Sequence, residues 1–207
     1  MGSSGGTHQF DSLRGVYDTR LLHLNPGKQN DELSGRVQTI SLDAPLPCAY
    51  EALSYEWRNA ERNHKIQLDD GSHILITESL HHALQDLRHE IGGTRAIWAD
   101  GVCINQDRTV EREQQVALMG SIYRNAIRVI TYIGPETDGV KEAIAFARYL
   151  TAFSNSGIYS TDARFHMPGE VLDLGLPPMD DPRWPGLKQL LLRQWVSVHL
   201  RYSKFTS

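Results

Sequence analysis

Leu80, Leu84, Leu87 and Ile91 recur at spacings of four, three and four, an apolar stripe that predicts a helix. Thr77 is placed to cap it ahead of Glu78, and Gly92-Gly93 is placed to end it. Before it the pattern has period two. "TRLLHL" (19–24) and "GRVQTISLD" (35–43) read as strands joined by a turn rich in Pro, Gly, Asn and Asp. "YEALSYEW" (50–57) sets Leu53, Tyr55 and Trp57 on one face and Ser54 and Glu56 on the other. "HKIQLDDGSHILIT" is a hairpin turning at Asp70-Gly71.

Beyond the first helix, "RAIWAD" (95–100) predicts a short buried strand. A polar loop and a second helix from about Val110 to Asn125 follow, with Val116, Met119 and Tyr123 inward. "IRVITYIG" (127–134) is the next strand, stopped by Gly134-Pro135, and a third helix covers about 139–152. Strands near 50, 95 and 127 separated by helices imply crossovers between parallel neighbours. The expected fold is α/β, a parallel sheet flanked by helices with additional β hairpins. Residues 1–12 read as a flexible leader, 13–153 as the core, 154–186 as a long loop and 187–207 as a terminal helix with Pro185 near its start.

Composition narrows the setting. The chain has 207 residues, 40% hydrophobic and 22% charged, enough for one substantial domain with an appendage. A formal charge of -4 supplies no field for a polyanion, so a nucleic-acid partner is not expected. No apolar run approaches the roughly 20 residues that span a bilayer, so no membrane partner is expected either. Cys48 and Cys103 stand far apart without ligand spacing, which fits a reducing, cytoplasmic setting. No glycine-rich phosphate loop is present, and the histidines show no HExxH pattern, so no metal is assigned. His81, His82 and His89 are expected on a solvated helix face.

"WADGVCINQDRTVEREQQV" (98–116) concentrates polar groups where a strand gives way to a helix, the edge at which open parallel sheets bind ligands. Asp100 ends the strand, Asn105 and Gln106 lie in the loop, and Glu111, Arg112 and Gln115 occupy the first turns of the helix. Glu111 and Gln115, four apart, share a face. Each has a plainer reading: strand-end Asp, Asn and Gln fix turns, and a first-turn Glu suits the helix dipole. Cys103 reads as a small buried hydrophobe before it reads as a nucleophile.

The order "YEALSYEW", "ITESLHHALQDLR", "IWADGVCINQ", "EREQQVALMGSIYRNAIRVITYIG" resembles the fungal heterokaryon incompatibility (HET) domain over residues 19–135, and "WPGLKQLLLRQW" resembles the start of that family's last motif. The resemblance implies a part in fungal nonself recognition and programmed cell death. It also implies a distant kinship with the flavodoxin-like Toll/interleukin-1 receptor (TIR) fold, some members of which hydrolyse NAD. By that analogy NAD is a substrate rather than a cofactor. Glu111 and Asp100 are then the catalytic candidates, with Trp57, Ser54, Asn105, Gln106, Arg112 and Gln115 as substrate-binding residues. The alternative is a noncatalytic, self-associating signalling module or an inactive paralogue. Expected partners are a second copy of the chain and other incompatibility or NLR-type signalling proteins. Two positions depart from the family: Arg58 stands where it carries glycine, and the sequence diverges after Trp195.

Overall fold

A computed structural model describes residues 5–57, 60–135, 137–155, 177–178 and 180–192. The elements are β1 (Asp18–Leu24), β2 (Leu33–Ser41), β3 (Glu51–Tyr55), β4 (Arg62–Leu68), β5 (His73–Thr77), α1 (Glu78–Leu87), β6 (Arg95–Trp98), α2 (Asp100–Cys103), α3 (Thr109–Asn125), β7 (Arg128–Tyr132), α4 (Asp138–Asn155) and α5 (Arg183–Leu191). They fall into two compact units, 1–135 and 136–207. The division comes at Pro135, where the sequence reading carried one core on to 153.

In the first unit seven strands form one sheet in the order β5-β4-β2-β1-β6-β3-β7. The fold is α/β as expected, but the sheet is mixed. β6, β3 and β7 are mutually parallel, as the crossover pattern required, and β2 pairs parallel with β4. β1 runs antiparallel to both β2 and β6, and the β4–β5 hairpin is antiparallel across the Asp70-Gly71 turn. Gly71 adopts φ 85°, open to glycine without the strain a side chain would bring.

Helices cover both faces. Leu80, Ala83 and Leu84 of α1 pack with Leu22, Leu53 and Ile97 on one side. Leu118 and Ile122 of α3 pack with Leu21, Tyr50 and Trp98 on the other. The Tyr50 hydroxyl, fully buried, donates to the Ile122 carbonyl at 2.6 Å and ties the end of α3 to the sheet.

α1 begins as expected, its Leu80 amide donating to the Thr77 hydroxyl at 3.4 Å, but it ends at Leu87. Ile91 is 90% exposed, outside the stripe. The early stop follows from Arg88 and Arg95. Arg88 turns its guanidinium onto the carbonyls of Lys28, Asp31 and Glu32, while Arg95 donates to the Leu87 carbonyl that a continuing helix would use. α3 corrects a second expectation: its buried positions are Glu111, Gln115, Leu118 and Ile122, and Val116 is 58% exposed. Met119 and Tyr123 flank that stripe and are half-buried.

Residues 6–8, expected to be part of a leader, run along the outer edge of β5. His8 donates its amide to the His73 carbonyl at 2.8 Å, and His73 returns its amide to Gly6 at 3.2 Å. In the second unit, α4 and α5 pack through Phe146, whose ring meets Trp184 edge-on at 4.9 Å beneath the Arg183 guanidinium. The loop and divergent end expected at 154–186 and after Trp195 fall for the most part outside the described residues, and Arg58 lies outside them too.

Candidate functional site

β3 leads onward to α1 on one face of the sheet, and β6 leads to α3 on the other. Their carboxyl ends therefore meet at a switch point, where open α/β sheets form their ligand crevice; the cleft present here is lined by Gly101, Asn105 and Gln106, and Asp100 and Trp57 are half-buried next to it. Asp100 follows β6 at the first position of α2, and Trp57 follows β3. The Trp57 indole N–H donates to both Asp100 oxygens, at 3.0 and 3.2 Å, and so spans the crevice. The Gly101 amide donates to Asp100 Oδ1 at 2.7 Å. Beside this carboxylate lies the buried Tyr55 hydroxyl, close enough to interact with it. Its ring stacks 6.5 Å from that of Trp57.

Burial dominates the electrostatics here. It pushes the Asp100 carboxyl above the ordinary aspartate value of 3.8, and the donors around it offset this only in part. It pushes Tyr55 well above 10.0 for the same reason, reinforced by the charge of Asp100. Because folded Asp100 holds its proton at higher pH than an unfolded aspartate, the native state is the better proton binder just above pH 3.8. Its contribution to stability therefore falls as pH rises from 3.8 through the raised value. Urea midpoints measured across that window should slope downward with pH, and Asp100→Asn should remove this part of the slope.

Glu111 sits elsewhere. Its carboxylate accepts from both terminal nitrogens of the Arg20 guanidinium, at 2.6 and 3.2 Å, and from the Asn105 amide at 2.8 Å. Arg20 is 2% exposed and Glu111 5%. The guanidinium also donates to the carbonyls of Cys103 and Asp11. Burial pushes Glu111 up, but the Arg20 and Asn105 donors outweigh it and hold the carboxyl below 4.5. The two carboxylates have no hydrogen-bond partner in common. Glu111 closes the loop between α2 and α3 onto β1. This pair stabilises the fold at neutral pH and at all values above 4.5, and that stability is lost as pH falls through the depressed folded value. In Glu111→Gln the acid limb of the stability curve should flatten in denaturant titrations.

Gln115 has a similar position. It accepts from the Thr19 hydroxyl at 2.7 Å and donates to the Asp18 carbonyl at 2.7 Å, while Trp98 donates to the same Thr19 hydroxyl at 3.1 Å. Asn105 and Gln106 line a cleft of about 590 Å³ with Gly101, Phe10, Arg62 and Arg108. Gln106 also donates to the Asp100 carbonyl at 2.7 Å, so this cleft and the crevice share the turn of α2. Ser54 lies at the end of β3, where its hydroxyl interacts with Tyr123, and Arg112 is exposed on α3. Cys103 is fully buried and burial pushes its thiol up to about 12, which rules out a thiolate nucleophile near neutral pH. His82 and His89 are exposed as expected, but His81 is half-buried and stacks 4.5 Å from His64. Among the described residues no group of three acidic, histidine or cysteine side chains could hold a metal ion, and no helix is long and apolar enough to cross a membrane.

Two contributors were absent from the sequence reading as site residues. Tyr55 reads as core by alternation, although its place between Leu53 and Trp57 could have set it beside the end of the next parallel strand. Gly101 matters because a Cβ there would lie 2.6 Å from the Tyr55 hydroxyl and 2.9 Å from a Leu80 methyl. Gly101→Ala should displace Tyr55 and cost about 1–3 kcal/mol in chemical unfolding.

Comparison with known proteins bears on this arrangement. The family model for "Heterokaryon incompatibility protein (HET)" matches residues 50–197. The chain is 36% identical over 153 residues to "Heterokaryon incompatibility protein 6, OR allele" of Neurospora crassa, covering 66% of this chain but 22% of that protein. The chain thus spans about a fifth of the relative's length. No solved structure gives a significant match. The matched region holds β3, β6, α3 and β7, the elements that build the crevice, and the chain belongs to the heterokaryon incompatibility (HET) family.

Proposed function

We propose that the chain acts in fungal nonself recognition as a domain whose engagement leads to programmed cell death, and that its working part is the crevice at Asp100. The observation that carries this reading is a half-buried carboxylate of raised pKa held at the parallel-strand switch by Trp57, with the buried Tyr55 hydroxyl beside it. Perturbed ionisable groups cluster at functional sites.

The chemistry this crevice suits is cleavage of the bond between ribose and nicotinamide in NAD. Water adds to the anomeric carbon, neutral nicotinamide leaves with the bonding electrons, and one proton is released. Positive charge develops on the ribose in the transition state, and a carboxylate beside it stabilises that charge. Asp100 is the acid placed for this role, Trp57 offers a ring face, and Asn105 and Gln106 offer amides from the adjoining cleft. Glu111, paired with Arg20, serves the fold and takes no part in the chemistry. The analogy to TIR enzymes contributes the substrate and nothing more.

A noncatalytic signalling module is the second reading, favoured by the donors already present on both Asp100 oxygens. Concentrated protein incubated with NAD, with and without a crowding agent, separates the two. Free nicotinamide that appears with the native chain and is lost in Asp100→Asn supports hydrolysis. No release under either condition removes hydrolysis and leaves the signalling module.

A further inference from the structure

α1 carries two neighbouring imidazoles, His81 and His82, and β4 supplies a third, His64. The His64 and His81 rings stack with centroids 4.5 Å apart and planes at 28°, and His82 meets His81 edge-on at 5.9 Å. His81 Nδ1 is buried and has no hydrogen-bond partner. A neutral ring leaves only a lone pair there, but a protonated ring turns it into an N–H donor with no acceptor and sets a cation against the face of its neighbour. The charges nearby do little to relieve this. On α1 itself, Arg88 opposes protonation of His81 and Glu78 favours it more weakly. Asp31, Glu32 and Asp86 border the same hollow, yet each has another partner: the Lys28 amide at 2.8 Å, Lys65 at 3.3 Å and the Tyr132 hydroxyl at 2.9 Å. Glu56 and Glu78 border His82.

We infer that this cluster is a pH-sensitive latch: neutral imidazoles hold α1 on β4 near neutral pH, and protonation in the mildly acidic range releases α1 from the sheet. Burial first, and then the charges of His64, His82 and Arg88, hold His81 below its ordinary 6.5. The contribution of the latch to stability is therefore complete above 6.5 and is lost as pH falls through the depressed value. Release reaches the site. Leu80, the neighbour of His81 on α1, packs in the same core as Tyr55 and closes on Gly101, so loosening α1 uncovers the surroundings of Asp100. This inference holds whatever chemistry Asp100 performs.

Hydrogen exchange of the full native chain at about pH 7.5 and about pH 5.5, corrected for the intrinsic pH dependence of exchange, tests it. Opening of the α1 amides should rise about tenfold or more at the lower pH, the change that one pH unit of depression supplies, while the α3 amides change less. His81→Gln and His64→Gln each replace an imidazole by an uncharged side chain and should remove most of that rise. His89→Gln, at an exposed position outside the cluster, should keep it. Circular dichroism controls for folding, and if either cluster variant fails to fold, the comparison of α1 with α3 in the native chain still decides. Exchange of α1 that ignores pH, that rises no more than that of α3, or that rises equally in His81→Gln and His64→Gln overturns the inference.

Discussion

Glu111→Ala should destabilise the first unit by roughly 3–5 kcal/mol, because it leaves a buried guanidinium without its counter-charge. Arg20 cannot escape to water: it lies under the loop that joins α2 to α3, with the Phe10 ring 4.9 Å away. Truncation also strips the Asn105 amide of its acceptor. Arg20→Met should cost a similar amount by leaving the carboxylate unpaired. The double variant Arg20→Met/Glu111→Leu should cost clearly less than the sum of the two single changes, with a coupling of about 2 kcal/mol in a double-mutant cycle. Additive losses would mean that the two groups do not act as a pair.

The second large effect is expected at Asp100, with the opposite profile. Asp100→Asn keeps an oxygen to accept from the Gly101 amide and removes a charge that burial disfavours, so stability at neutral pH should stay within about 1 kcal/mol of the native chain. Under the hydrolysis proposed above, removal of the charge should lower nicotinamide release on the order of a hundredfold. Under the same proposal, killing in a fungal host should be lost with it. A change that leaves the fold intact yet removes function marks a site under functional rather than structural constraint.

The contrast between these acids explains what the sequence could and could not show. Both were legible as unusual carboxylates at a strand-to-helix junction, and the parallel grouping of β3, β6 and β7 followed from crossover spacing. Their roles were not legible, because the deciding partner of Glu111 is Arg20, 91 residues away in β1. The same effect hid the inner face of α3. Periodicity searches for hydrocarbon, and half of that face is Glu111 and Gln115, made burial-compatible by Arg20, Thr19 and the Asp18 carbonyl. α1 shows the converse: its apolar stripe ran on to Ile91, but Arg95 from a following strand occupies the last carbonyl and ends the helix at Leu87. β1's position between β2 and β6, which makes the sheet mixed, depends on pairing between distant segments that no local pattern encodes.

The most direct measurement expresses the native chain, Asp100→Asn and Arg20→Met/Glu111→Leu in the same fungal host and scores cell death at matched levels of folded protein. Loss of killing in Asp100→Asn, with killing retained in whatever fraction of the double variant folds, is the predicted result. Full killing by Asp100→Asn, or its loss only when Glu111 is replaced, would contradict the assignment of the working acid to the crevice.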